Sequence, residues 1–433
     1  MTDLYIRFGV HKDREVLKEM SEHMTGICVP AHILAYTPDP TKAAIYYTQK
    51  PFFIDPMTYR FAEQDISTYV VVDTKDKKSK FKPSIKKLVE KYALTDFFDN
   101  NGFKPIQIGD FDDVFIDSLS KEVIEMQKNM VDEGKDSAMD RYAELLSAIG
   151  KSELVRERDK DHKPAFYLTP YFFFSDIDDK WLDINLKLAE QAKSHVEEGD
   201  EVVPVILTNA STLTADLLTK YSEKGFQKVV LWLSDLEERS KQTGEVQETK
   251  LVNYVTFAQT ASQMGIDIIA MHSSYFSVVL SKTGVHSIAH GLLHGEYKNK
   301  KAQIGGGAPP ARYYIRSIHN FLPIPATRQL FNYPEAADLL DFASDPCMKM
   351  IKGDAKNIYD VFESNVPLSQ KHFLHARNAE IEFVNQSSVQ EIIAQLKSVY
   401  EDKRAVVEKV AGEGYLDYLL MWATALEKTL VKD

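Results

Sequence analysis

The segment 265–296 constrains the fold of this chain more than any other part of the sequence. An apolar run at 266–271 is followed by a short helical segment at 275–282 and by a second apolar run at 285–289. A connection of this length between two strands suits a parallel crossover rather than a hairpin. The pattern is typical of a strand–helix–strand unit in a parallel α/β fold, where the carboxyl ends of the strands carry the functional groups.

The same order of helix, glycine and strand recurs along the chain. Helical segments end at Gly225, Gly265 and Gly284, and an apolar run begins within about five residues of each glycine, the spacing of repeated βα units. Apolar runs that fit such strands lie at 31–36, 51–56, 166–169, 202–207, 229–233, 266–271, 285–289 and 313–318.

Eight strands of this kind predict an α/β fold, a closed TIM-like (β/α)8 barrel. The alternative is an open, doubly wound sheet. No G-x-G-x-x-G motif follows an early strand, which disfavours the dinucleotide-binding form of that alternative.

Outside the regular pattern, the composition of the chain changes twice. We expect a barrel at 1–333 that contains a largely helical insertion at 60–164, and a C-terminal helical region at 334–433. Residues 1–27, with a short strand at 4–8, are interpreted as an N-terminal addition to the barrel. In the C-terminal region, helical spacing predicts helices at 335–343, 355–363, 388–402 and 414–430.

Composition narrows the class of partner. The net charge of −12 gives no support for a nucleic-acid partner. Two cysteines, Cys28 and Cys347, exclude a disulfide framework and a cysteine-rich zinc site. We find no secretory signal and no apolar run long enough to span a membrane, and therefore expect a cytoplasmic protein without membrane contact. The sequence leaves open whether the chain forms homo-oligomers.

Polar residues follow the predicted strands, where a barrel would gather them at one mouth. We predict as catalytic Asp55, Asp235, His272 and His290. An acid at the end of an apolar strand is placed to act as a general base, and an imidazole is placed to act as an acid or base. The alternative for each aspartate is a capping or turn role, and for each histidine a hydrogen-bonded position without catalysis.

A second set of residues at the same mouth is predicted to bind substrate. The glycine run at 304–307 lies between the last two predicted strands, where barrels of this type often bind phosphate. The predicted substrate-binding residues are Tyr59, Asn209, His294, Glu296, Arg316, His319, Gly305, Gly306 and Gly307. The histidines lack a strong metal-ligand spacing, so we predict no metal and no other cofactor.

The motif FFIDPMTYRF at 52–61 resembles the strand-end acidic motif of tRNA-guanine transglycosylase-like TIM barrels. The resemblance implies the barrel fold and a part for Asp55 in base exchange. In that family a second aspartate after a late strand is the nucleophile, whereas this chain has His290 near that position. The cysteine-rich zinc motif of the family is missing. The resemblance covers these ten residues and the general fold.

These patterns lead to two hypotheses of different class. The first is an enzyme that acts at the barrel mouth on a small polar or phosphorylated ligand, such as a nucleoside or base. It would be a transferase or hydrolase of glycosyl bonds that uses carboxylate and imidazole acid–base chemistry. The alternative is a non-catalytic barrel that serves as a binding or scaffold protein, with its polar residues held in mutual ion pairs.

Overall fold

A computed structural model describes most of the chain. The described residues are 2–9, 13–62, 66, 69–72, 79–129, 144, 147–150, 163–239, 244–292, 299–300, 312–339 and 366–430. Among these residues, no helix is both long and apolar enough to cross a membrane.

The core of the fold is a parallel sheet of seven strands in the order β3-β2-β1-β11-β10-β9-β8. Two antiparallel pairs, β4 with β5 and β12 with β13, and one parallel pair, β6 with β7, lie outside it. The strands are β1 Asp3–Arg7, β2 Gly26–Pro30, β3 Phe52–Asp55, β4 Val70–Val72, β5 Ser79–Phe81, β6 Tyr167–Leu168, β7 Val202–Val203, β8 Val205–Thr208, β9 Lys228–Leu233, β10 Asp267–Met271, β11 Val285–His290, β12 Arg312–Ile315 and β13 Asn320–Pro323.

Helices connect these strands and cover the sheet. They are α1 Asp13–Glu19, α2 Ala31–Tyr36, α3 Pro38–Thr48, α4 Pro83–Lys91, α5 Thr95–Asn101, α6 Asp113–Asn129, α7 Lys180–Ala192, α8 Ala215–Glu223, α9 Glu245–Gln263, α10 Tyr275–Val279, α11 Ile324–Leu330, α12 Val366–Gln386, α13 Val389–Ala411 and α14 Asp417–Leu430. Local chemistry sets several ends. Thr214 caps α8, and Gly225 and Gly265 follow α8 and α9 with positive φ.

The two faces of the sheet bury different side chains because residues alternate along each strand. Outward residues pack under the helices, whereas inward residues from every strand form one enclosed cluster. The inward cluster includes Tyr5, Cys28, Phe53, Leu168, Val203, Leu207, Trp232, Met271 and Ala289. Since both edges of the sheet contribute to this cluster, the sheet curls around it.

The prediction of a closed eight-stranded barrel is wrong, because the continuous ladder ends at β3 on one side and at β8 on the other. The short strand β6 lies between these edges. Ala165 N donates to Phe52 O at 2.8 Å, and Tyr167 N donates to the carbonyl of Glu201 at 2.8 Å. Proline, which has no N–H to donate, flanks β6 and separates β7 from β8 at Pro204, so the ladder stays short. The result is a curled half-barrel.

Three strand assignments need correction. The expected N-terminal addition contains β1, which lies at the centre of the sheet between β2 and β11. The run at 31–36 is helix α2, and the strand beside it is Gly26–Pro30. The run at 313–318 contributes only to a separate hairpin, since β12 pairs antiparallel with β13. Six other strands lie where the sequence predicted them, near residues 53, 167, 205, 231, 269 and 287.

The described parts of the insertion are mainly helical, with α4, α5 and α6 beside the small β4–β5 hairpin. In the C-terminal region, α13 and α14 match two predicted helices. The helix predicted at 335–343 is a 3-10 segment, Pro334–Leu339, where described, and that at 355–363 lies outside the described residues. The sequence did not predict α12, which packs against α1, α10 and β12.

Candidate functional site

Asp55 is the last residue of β3 and is completely buried. It shares the inner face of the sheet with Phe53, two residues earlier. Its Oδ1 accepts hydrogen bonds from the Tyr171 hydroxyl at 2.7 Å and from Met57 N at 3.1 Å. Its Oδ2 has no hydrogen-bond partner among the described residues and lies 3.6 Å from Nη2 of Arg7. One carboxylate oxygen is therefore held in place while the other faces an arginine.

Tyr171 acts as a fixed hydrogen-bond donor to Asp55. Burial raises the pKa of Tyr171 well above its ordinary value, and the neighbouring charge of Asp55 raises it further. The phenol therefore stays protonated at any ordinary pH. Met57, the other donor, has a φ of 56°, which is rare for a residue with a side chain. Such strained conformations cluster at functional sites.

Aromatic rings continue from Asp55 across the inner face. The rings of Tyr171 and Tyr59 stack with centroids 5.7 Å apart, and Trp232 meets Tyr59 edge-on at 4.9 Å. The His272 ring lies 4.3 Å from the ring of Trp232. His272 also has a positive φ of 53°, in the turn directly after β10. Of the predicted site residues, the structure thus brings Asp55, Tyr59 and His272 together.

His290 lies on the opposite side of the sheet. Because residues alternate along β11, it shares the outer face with Ile288, and its ring lies 5.2 Å from the ring of Phe373 in α12. Its Nδ1–H donates to the carbonyl of Gly291 at 2.9 Å. Burial, reinforced by the nearby charge of Arg377, lowers the pKa of His290 to about 3. His290 is therefore a neutral imidazole that the sheet separates from Asp55.

Asp235 is an ion-paired turn residue on the rim. Its Oδ1 accepts from Ala210 N at 2.7 Å, and its Oδ2 lies 3.0 Å from Nζ of Lys250. Asn209 precedes the 3-10 turn Ala210–Thr212 after β8, and its carbonyl accepts from Thr212 N at 3.1 Å. Asp235 thus caps this neighbouring turn rather than a helix that follows it in the chain.

His319 belongs to a buried polar network beneath α12. Its Nδ1 lies 2.6 Å from Oε1 of Glu380, and its ring stacks on Tyr275 with centroids 3.5 Å apart. Glu380 also accepts from the Tyr314 hydroxyl at 2.7 Å and pairs with Arg377 at 2.8 Å. The network connects the β12–β13 hairpin and α12 to α10 at the carboxyl end of the sheet.

His372 and Arg377, which the sequence did not predict as site residues, are buried in α12. The spacing of Arg377 and Glu380 in the sequence could have indicated an ion pair on one helix face. Residues three apart on a helix share a face, and opposite charges at that spacing can pair. Arg7 was also missed. It lies two residues after Tyr5 in a strand, so it points to the same inner face.

The phosphate site expected at the glycine run 304–307 stays a prediction, because that run lies outside the described residues. The first turn of α10, directly after β10, is occupied by the carboxylate of Glu238, which accepts from Ser274 N at 3.0 Å and from the Ser277 hydroxyl at 2.8 Å. Arg316 is half-buried in the turn between β12 and β13. His294, Glu296, Gly305, Gly306 and Gly307 lie outside the described residues.

Where the chain is described, no group of three or more histidine, cysteine, aspartate or glutamate side chains is arranged to hold a metal ion. Comparison with protein-family models and with curated proteins finds no match to this chain.

Proposed function

We propose that this protein is an enzyme that binds a nucleobase or nucleoside at the inner carboxyl end of the sheet and breaks or exchanges its glycosidic bond with the help of Asp55. The observation that carries the proposal is the fully buried Asp55 carboxylate. Its Oδ1 is held by two donors, and its Oδ2 accepts no hydrogen bond among the described residues and lies 3.6 Å from Nη2 of Arg7, beside a continuous series of aromatic rings.

Each of these groups has a part in the proposed chemistry. Oδ2, which accepts no hydrogen bond among the described residues, takes the proton of an attacking water or incoming base as that nucleophile bonds to the anomeric carbon. In the same step the glycosidic bond breaks, and the departing base leaves with the electron pair of that bond. Tyr171 keeps the carboxylate oriented. Planar ligands stack on aromatic side chains, and we assign this role to Tyr59 and Trp232. His272, which contacts Trp232, replaces His290 as the proposed imidazole partner.

A binding protein without catalysis remains the second candidate. The ion pair of Asp55 with Arg7 and that of Asp235 with Lys250 favour it, because paired charges are what a non-catalytic mouth would hold. The two candidates differ in whether a bound nucleoside is turned over. On either hypothesis a planar ligand should change the fluorescence of Trp232, but only an enzyme would release a free base.

The test uses a panel of nucleosides with and without added free bases, and chromatography to follow base release or exchange. Asp55→Asn keeps the size and the accepting oxygen of the side chain but removes its basicity, so we expect turnover to fall about a hundredfold or more. Asp235→Asn is the matched control and should keep most of the activity. Normal turnover in Asp55→Asn would remove Asp55 from the chemistry. Ligand binding to the wild type without turnover would favour the binding protein.

A further inference from the structure

Arg60 lies at the rim of the inner site without a carboxylate partner. It belongs to the 3-10 turn Thr58–Phe61 that follows β3. Its guanidinium carbon lies 5.9 Å from the ring centroid of Tyr59 and 5.6 Å from that of Tyr69, and its Nε donates a long hydrogen bond of 3.4 Å to the Tyr59 hydroxyl. Throughout the described part of the chain, no acidic side chain pairs with it.

A second arginine adds charge to the same region. Arg7 ends β1, and its side chain is only 14% exposed. Its ion pair with Asp55, at 3.6 Å, is longer than a direct hydrogen bond. Arg7 therefore offsets the charge of Asp55, whereas the charge of Arg60 has no acidic side chain opposite it in the described part of the chain.

His32 lies close to both arginines. It directly follows β2, and its Nδ1 lies 2.9 Å from Sδ of Met57. Burial lowers the pKa of His32 well below its ordinary value, and the charges of Arg60 and Arg7 lower it further. The imidazole is therefore neutral and adds no positive charge itself. A thioether only accepts hydrogen bonds, so Nδ1 carries the proton and Nε2 is an acceptor.

We propose that Arg60 forms an anion subsite that binds a phosphate group of the ligand. Arginine presents a planar array of donors that matches a phosphate. This inference rests on the proposed function and narrows it, since the ligand becomes a nucleotide rather than a free base. From Asp55, the contacts run through Tyr171 and Tyr59 to Arg60. A base near Asp55 and a phosphate near Arg60 would thus be separated by the sugar, as in a nucleotide.

The simpler explanation is that Arg60 only packs on two tyrosines. A cation over aromatic rings is worth about 0.5–1 kcal/mol at exposed sites, so packing alone predicts a small loss of stability on substitution and no effect of ligand charge. An anion subsite predicts instead that substitution of Arg60 weakens the binding of phosphate-bearing ligands and leaves the fold unchanged.

Isothermal titration calorimetry separates these explanations. The probes are nucleosides, their 5′-monophosphates and inorganic phosphate. The proteins are the wild type, Arg60→Gln, and the control Arg404→Gln, which removes an exposed arginine of α13. We expect the wild type and the control to bind a monophosphate at least about tenfold more tightly than its nucleoside, as a charge-assisted contact would provide. Arg60→Gln should lose this gain and keep its affinity for the nucleoside.

Equal affinity for the two probes in the wild type, or a phosphate gain that survives in Arg60→Gln, would overturn the subsite while leaving the proposed function standing. If nucleosides and nucleotides fail to bind but inorganic phosphate binds in an Arg60-dependent way, the subsite stands and the proposed function falls. If no probe binds, both are overturned.

Discussion

The hydroxyl of Tyr171 and Oδ1 of Asp55 lie 2.7 Å apart although 116 residues separate them in the chain. The bond joins the loop after β6 to the end of β3, across the gap between the edges of the half-barrel. It therefore fixes the orientation of the carboxylate and helps to hold these two segments together.

Replacing Tyr171 with phenylalanine should impair the site with little disturbance of packing. The ring still stacks on Tyr59, but Asp55 loses a donor while it stays buried. We expect a loss of stability of about 1–3 kcal/mol and a clear fall in turnover. Chemical denaturation and base-release assays measure the two effects. The control is Tyr221→Phe, because the buried hydroxyl of Tyr221 has no hydrogen-bond partner among the described residues and its loss should cost little. Equal effects of both substitutions would contradict the prediction.

The network beneath α12 should depend on the charge of Glu380. Glu380→Gln keeps the size of the side chain but leaves Arg377 buried without its carboxylate, so we expect a loss of about 3–5 kcal/mol in the free energy of unfolding. The matched control is Glu427→Gln, which breaks a half-exposed pair with Lys397 and should cost at most about 1 kcal/mol. Urea denaturation compares them. A small effect at Glu380 would show that the network does not stabilise the fold.

The depressed pKa of His290 predicts a loss of stability in acid. In the unfolded chain His290 takes up a proton as the pH falls through about 6.5, whereas in the folded protein it stays neutral until about pH 3. Between these values the unfolded state binds more protons, so stability falls with falling pH, by up to about 1.4 kcal/mol per pH unit. Denaturation curves at several pH values for the wild type and His290→Asn isolate this contribution. Parallel pH profiles would refute it.

Gly284 should tolerate no side chain. A Cβ at this position would lie 2.0 Å from the carbonyl oxygen of Ala258, a backbone atom of α9 that has little room to shift. We expect Gly284→Ala to cost about 3 kcal/mol or more, at the upper end of overpacking effects. Gly109→Ala is the control, since a Cβ there meets no atom within 4 Å. Thermal denaturation of both variants checks the difference, and similar melting temperatures would show that α9 can move away.

The sequence predicted strands correctly where an apolar run stood alone between polar turns, as at β9 and β10. It failed at 27–35, where strand and helix join in one apolar stretch. Periodicity does not separate two such elements, and the boundary at Pro30 depends on tertiary contacts. The glycine at 284 was expected to end a helix like Gly225, but it lacks a positive φ and is required for close packing.

The sequence could predict candidate site residues only where it predicted the ends of strands. The apolar run before Asp55 predicted its position at the end of a strand, whereas its catalytic role stays a prediction. His290 has the same sequence signature, yet one residue of register places it on the outer face beside Ile288. The partners Arg7 and Tyr171 come from segments far from Asp55 in the chain, and spacing alone gives no sign of such contacts.

The central position of β1 also affects how the chain is made. Leu4 pairs with Ile288, and the first strand leaves the ribosome long before its partner β11 exists. At roughly 5–20 residues per second, that wait lasts on the order of tens of seconds. During it the nascent β1 has one unpaired edge, a template for unwanted association. Such distant pairing raises the contact order and slows folding, so completion of the sheet is a late event in folding.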